Sequence, residues 1–157
     1  VLSQALTDFN AMRAREGAKL ADDVRAKAGT IASLVTQVEQ RSPETVAAYR
    51  EKLRQRMEEV LENTQIDESR ILTEAALFAD KVAVDEETVR LRSHLAQLEE
   101  MLQAEGPIGR KLDFLIQEFN REANTIGSKC SDVALSRVVV DLKGEIEKIR
   151  EQVQNIE

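Results

Sequence analysis

Aromatic residues, glycine, proline and cysteine are all scarce in this 157-residue chain. Aromatic residues make up 3% of it, tryptophan is absent, and there are 6 glycines, 2 prolines and 1 cysteine. Because aromatic residues are enriched in strands, and glycine and proline are enriched in turns, this composition disfavours a β-sheet. Much of the chain is Ala, Leu, Glu, Gln, Arg and Lys, which are good helix formers. The composition therefore predicts an all-α fold.

Other absences bear on location and partners. The single cysteine, Cys130, permits neither an internal disulfide nor a cysteine zinc site, so we expect it to be structural and the compartment to be reducing. No apolar run reaches the length of a membrane span, and the first residues lack the pattern of a signal peptide. We expect a cytoplasmic protein with no membrane partner. The net charge of -7 disfavours a simple electrostatic nucleic-acid binder, but it leaves room for local basic patches.

Apolar spacing and helix-ending residues predict six helices. They cover about residues 2–40, 42–63, 68–81, 85–104, 109–129 and 132–157, and the spacing in the first fits either one helix or two that abut. Ser42 is a good N-cap with Pro43 at the first helical position, so residues 1–63 are expected to form a long helical hairpin. Asp85 is the expected N-cap of the fourth helix. A C-terminal helical domain, residues 64–157, follows as a bundle with a coiled-coil-like last helix.

The last helix carries an apolar seam. Its members alternate steps of four and three residues: Leu135, Val139, Leu142, Ile146, Ile149, Val153 and Ile156. Such a seam is typical of a coiled coil or a bundle helix and must pack against another helix. The spacing does not say whether that helix belongs to the same chain.

The helix at residues 109–129 carries more pattern than packing requires. Its core stripe comprises Leu112, Leu115, Ile116, Phe119, Ala123 and Ile126. One flank holds Asp113, Gln117, Asn120 and Asn124, and the other holds Glu118, Glu122 and Thr125. Since Asn and Thr are poor helix formers, these side chains suggest a hydrogen-bonding role. Phe114 lies nearly opposite the stripe, which indicates a second contact surface.

Carboxylates on this helix suit a divalent ion such as Mg²⁺ or Mn²⁺, and the basic residues beside them could neutralise phosphates. A solvated acidic face is an equally good interpretation, and Glu118 and Arg121 could form a simple surface pair. On the preceding helix, Glu87, Arg90 and His94 share one face. A lone histidine is more often a surface or half-buried residue than a catalyst.

The string GRKLDFLIQEFNREANTIGSK at residues 109–129 resembles the C-terminal region of the bacterial YicC/YloC family, whose members are often labelled stress-induced. EETVRLRSHL at 86–95, DLKGEIEKIREQVQNIE at 141–157 and RAREG at 13–17 extend the resemblance over essentially the whole chain. The resemblance implies a metal-dependent endoribonuclease that acts on RNA and assembles as a homo-oligomer. It also implies an N-terminal domain absent from this sequence, which agrees with a first residue, Val1, that is not Met and already follows helical spacing.

From these positions we expect three groups of site residues. The metal candidates are Asp113, Glu118 and Glu122, with Glu87 as a further one. The RNA-binding candidates are Arg90, Arg110, Lys111, Gln117, Arg121, Asn124 and Lys129. The catalytic candidates are His94, Glu87, Glu118 and Glu122, with His94 as a proton carrier. Because Asp113 and Glu122 lie on opposite flanks of one helix, either two clusters exist or a neighbouring helix contributes.

Two alternatives remain open. The polar flank could lock one helix to the backbone of another, making this chain an assembly arm while the missing N-terminal domain carries catalysis. The apolar seam and Phe114 could instead belong to a coiled-coil adaptor for another protein.

Overall fold

The computed structural model describes residues 2–61, 67–104, 106 and 108–154, without the side chain of Leu61. These residues form five helices and no strand, so the all-α prediction is confirmed. The helices are α1 (Leu2–Leu61), α2 (Glu68–Val82), α3 (Asp85–Gln103), α4 (Gly109–Lys129) and α5 (Val133–Gln154).

The first helix is continuous over 60 residues and contains Pro43 in its interior. The predicted hairpin around Ser42 is therefore wrong. A proline removes one backbone hydrogen bond at a single point, whereas packing on both sides of it holds one helix axis. Val38 is buried on the N-terminal side, and on the C-terminal side Tyr49 stacks on Phe78 of α2 with ring centroids 3.9 Å apart. These tertiary contacts outweigh the local preference of proline for the start of a helix.

The effect of a proline inside the helix is testable because the Pro43 side chain is exposed. Replacing Pro43 by Ala restores the backbone N–H donor at this position and introduces a residue with high helix propensity. We expect the free energy of unfolding to rise by about 1–3 kcal/mol. Urea unfolding monitored by circular dichroism measures this change, and a fall in stability would show that the proline fits the helix without strain.

Four helices share one core. Residues 24–38 of α1 supply Val24, Ile31, Leu34, Val35 and Val38, and α3, α4 and α5 supply most of the remaining core. The described members of the α5 seam, Leu135 to Val153, are all buried, and Ile156 lies outside the described residues. The seam packs against α1 and α4 of the same chain. This removes the main support for a coiled-coil adaptor, because the seam is used within the chain.

The helix boundaries follow ordinary capping chemistry with one correction. The Asp67 carboxylate accepts a hydrogen bond from the Ser69 backbone N–H at 3.0 Å, and Asp132 accepts one from Ala134 at 3.0 Å. Asp85 is not the N-cap of α3, since that position belongs to Val84, which is buried, and Asp85 begins the helix itself. Val84 is buried in the core and takes the N-cap position, so the helix starts one residue earlier than an Asp85 N-cap would allow.

The first part of α1 has no cover within the described residues. Residues 2–19 are exposed throughout, including Leu2, Leu6, Phe9 and Met12. None of the described helices combines the length and the apolar composition that crossing a membrane requires.

Candidate metal centre

A line of polar side chains runs along the junction of α3 and α4. His94 lies beside Glu118 and Glu122, Arg90 contacts Glu122, and Glu87 contacts Lys129. Along the junction, residue numbers increase on α4 while those of their partners on α3 decrease, so the two helices run antiparallel. Spacings of three and four residues on α3 place its three members on one face. We call these six residues the α3–α4 seam.

His94, Glu118 and Glu122 form the centre of this seam. One ligand atom from each lies within 4.8 Å of the others. Glu122 is 3% exposed, and the Glu118 side chain is 27% exposed. Both ring nitrogens of His94 are buried and have no hydrogen-bond partner among the described residues. Buried polar atoms are normally paired, and an imidazole without a partner beside two carboxylates is a donor set that could hold a cation.

Phe119 sets the orientation of this imidazole. Its fully buried ring meets the His94 ring edge-on, with centroids 5.7 Å apart and planes at 63°. An edge-to-face contact in a packed core restricts rotation of the ring. The core stripe of α4 therefore supports the polar seam directly.

Arg90 is the nearest cation to the buried carboxylate. Its guanidinium donates to Glu122 Oε1 at 3.4 Å and also to Glu86 on its own helix. The charge of Glu86, followed by the hydrogen bond to Glu122, raises the pKa of Arg90 above its usual value. Within the part of the chain described, Arg90 is the only hydrogen-bonding partner of Glu122. A buried carboxylate with one long contact is poorly compensated.

Glu87 and Lys129 close one end of the seam. Lys129 Nζ donates to Glu87 Oε1 at 2.7 Å, while Glu87 Oε2 is buried without a partner in the described structure. The sequence-based expectation gave Glu87 a catalytic or metal role and Lys129 a phosphate contact. The structure pairs them with each other, so Lys129 reaches a phosphate only by leaving Glu87.

Asp113 is not brought to Glu118 and Glu122. It lies on the opposite flank of α4, where it lines a pocket against α5 together with Gln117 and Arg150. His94 of the neighbouring helix takes the third place in the cluster. Sequence reasoning missed Arg150 and Gln154 of this pocket, although each directly follows an apolar seam residue, Ile149 or Val153.

The outer face of α4 carries the remaining candidates for RNA binding. Arg110, Lys111, Gln117, Arg121 and Asn124 are exposed, and Phe114 on the same face is 65% exposed. Arg110 and Lys111 make no ion pair with any described residue, and Arg121 reaches only Glu118, at 4.0 Å. These cations are free to meet phosphates.

Cys130 follows α4 directly and is half-buried. Burial, and then the charge of Asp132, raises the pKa of its thiol. A thiol that resists ionisation is a poor nucleophile and metal ligand, which fits the structural role predicted for it.

Residues 38–157 match the sequence model of a family described as "Endoribonuclease YicC-like, C-terminal". The chain belongs to this family. The predicted resemblance is thereby confirmed, and the match begins within α1.

Two relatives extend the likeness. The chain is 46% identical to the probable endoribonuclease YicC of Clostridioides difficile (strain 630) over 157 residues, which cover 99% of this chain and 54% of that protein. It is 41% identical to the probable endoribonuclease YicC of Haemophilus influenzae (strain Rd) over 152 residues, which cover 97% of this chain and 52% of that protein. The chain thus spans about half the length of these relatives.

Proposed function

We propose that this chain carries the divalent-metal centre of a YicC-like endoribonuclease and that His94, Glu118 and Glu122 hold the ion. The observation that carries this proposal is the pair of buried ring nitrogens of His94, which have no hydrogen-bond partner among the described residues and lie beside two carboxylates. The names of the relatives supply the reaction class, which is internal cleavage of RNA.

The donor set fits Mn²⁺ better than Mg²⁺. Mg²⁺ favours oxygen ligands, and one imidazole nitrogen with two carboxylates is a mixed set that Mn²⁺ accepts more readily. Opposite ligands of an ion with bonds of about 2.1 Å lie about 4.2 Å apart. The cluster, whose ligand atoms lie within 4.8 Å of one another, is already close to that spacing.

Four of the seam residues then have defined tasks. A divalent ion held here would supply Lewis-acid stabilisation of the phosphate and activation of water. Glu118 and Glu122 provide the negative charge of the site, and His94 acts as a ligand held in place by Phe119. Arg90, whose contact with Glu122 is long at 3.4 Å, would be placed to donate to a phosphate oxygen. Lys111 and Arg121 on α4 hold neighbouring phosphates. In this proposal His94 is a ligand, and its role as a proton carrier stays a prediction.

Direct metal binding tests this assignment. We expect His94→Ala to weaken Mn²⁺ binding by the full-length protein at least about tenfold, because ligand-supporting residues alone are worth about 10–100-fold. Electron paramagnetic resonance of free Mn²⁺ during a titration measures the affinity. Glu100→Gln, at an exposed acid on α3 outside the seam, is the matched control. A folded His94→Ala protein with unchanged affinity would remove His94 from the metal centre.

A second candidate function is assembly. The exposed apolar residues Leu2, Leu6 and Phe9 follow each other at steps of four and three, which is the pattern of a helix that packs against another helix. They favour a homo-oligomer in which α1 is the assembly arm. If assembly is the sole function of this chain, RNA cleavage does not depend on the α3–α4 seam, and substitutions in the seam leave it unchanged.

A further inference from the structure

A second polar site lies on the other flank of α4. It is a pocket of about 280 Å³ between α4 and α5, lined by Asp113, Ile116, Gln117, Asn120, Arg150 and Gln154. Its volume is slightly below the range of about 300–1,000 Å³ that is typical of small-molecule sites, so it suits a small ligand with one ring or one pair of fused rings. We call it the α4–α5 pocket.

The polar groups of this pocket are largely unused by the fold. Asp113, Gln117, Asn120 and Gln154 make no hydrogen bond or ion pair with any described residue. The Arg150 guanidinium pairs with Glu147 at 3.6 Å and lines the pocket together with Asp113. Ile116, 2% exposed, supplies an apolar wall. An apolar wall with converging donors and acceptors is typical of a binding site.

We propose that the α4–α5 pocket binds a guanine base of the RNA. A carboxylate only accepts hydrogen bonds, so Asp113 calls for a ligand with two adjacent donors. On its pairing edge guanine offers N1–H and N2–H, whereas adenine offers a single amino group and uracil a single N–H. Arginine is the usual partner of guanine O6 and N7, a role that Arg150 can take on the other side of the base. The side-chain amides of Gln117 and Asn120 can rotate to present either a donor or an acceptor to the base.

The position of the pocket relative to the metal cluster supports this inference, which rests on the proposed function. Glu118 and Glu122 occupy one flank of α4, and Asp113 and Gln117 occupy the other. A helix with its side chains is about 10–12 Å across, a distance that a few nucleotides of single-stranded RNA can cross. The exposed Phe114 lies on the ridge between the flanks, where its ring can stack on a base. Sequence-specific recognition of RNA commonly uses unstacked bases in this way.

Binding measured without cleavage tests the proposal. Two fluorescent single-stranded uridine oligonucleotides, one with a central guanosine and one with a central adenosine, are titrated with the full-length protein in the presence of a chelator. We expect the wild type to bind the guanosine strand about tenfold more tightly and Asp113→Asn to abolish that ratio. Asp141→Asn, which removes the same charge from an exposed aspartate of α5 outside the pocket, should keep the ratio.

Each alternative outcome has a distinct meaning. Equal wild-type affinities for the two strands overturn guanine recognition, and a ratio that survives Asp113→Asn overturns the assignment to this pocket. If free GMP binds as tightly as the guanosine strand, the site takes a mononucleotide and the RNA assignment fails. Failure of the metal proposal is recognised separately, because it appears as Mn²⁺-independent cleavage and leaves the binding ratio intact.

Discussion

Replacing Glu122 by Gln is expected to lower Mn²⁺-dependent RNA cleavage at least about a hundredfold. The substitution keeps the size of the side chain and removes the negative charge of a proposed ligand that is 3% exposed. A metal ion contributes several kcal/mol of charge stabilisation in the transition state, and each 1.36 kcal/mol corresponds to a tenfold change in rate. Glu118→Gln should act in the same direction, with a smaller effect because its side chain is more exposed.

The measurement is the initial rate of cleavage of a labelled structured RNA by the full-length protein. Wild type, Glu122→Gln and Glu118→Gln are compared with Mn²⁺ and with a chelator, and Glu100→Gln serves as the control of equal charge change. Size-exclusion chromatography and thermal unfolding establish that each variant is folded and assembled. If Glu122→Gln is intact but cuts at the wild-type rate, the α3–α4 seam is not the metal centre and the assembly function is favoured.

Replacing Phe119 by Ala is expected to lower the free energy of unfolding by about 3–5 kcal/mol, the range for truncating a fully buried phenylalanine. The Phe119 ring is 1% exposed, lies in the shared core and contacts the His94 ring. Phe114 on the same helix offers a matched control, because it is 65% exposed. Phe114→Ala should change the stability by no more than about 0.5 kcal/mol.

Urea unfolding followed by circular dichroism gives both values. Phe119→Leu adds a second readout, since it fills most of the space but removes the ring edge that faces His94. We expect this variant to remain folded and to bind Mn²⁺ more weakly than the wild type. Equal destabilisation by the two alanine substitutions would contradict the orientation of α4.

The apolar pattern predicted most of the core correctly. The α4 stripe from Leu112 to Ile126 and the described α5 seam from Leu135 to Val153 are buried as their spacing required. Periodicity reports the angular position of a side chain around its own helix, and in a bundle the apolar side must face the core. The prediction failed at Ser42 and Pro43, where a local helix-start signal was outweighed by packing on both sides of the proline.

The candidate site was predicted only residue by residue. Spacing separated Asp113 from Glu122 on α4, and it placed Glu87, Arg90 and His94 on one face of α3. It did not reveal that His94 meets Glu118 and Glu122, that Lys129 is held by Glu87, or that Arg150 faces the pocket of Asp113. Each of these pairings joins residues more than 20 positions apart, which no local pattern connects.

The sequence by itself determined that this protein is helical, which face of α4 and α5 is apolar, and which family it resembles, because these depend on composition, spacing and residue identity. The tertiary structure decided that α1 is one helix and that α3 and α4 run antiparallel with their polar faces together. It also decided that one flank of α4 meets His94 of α3, whereas the other lines a pocket with α5. Those decisions depend on how helices meet, and that is set by the packing of the whole core rather than by any one segment.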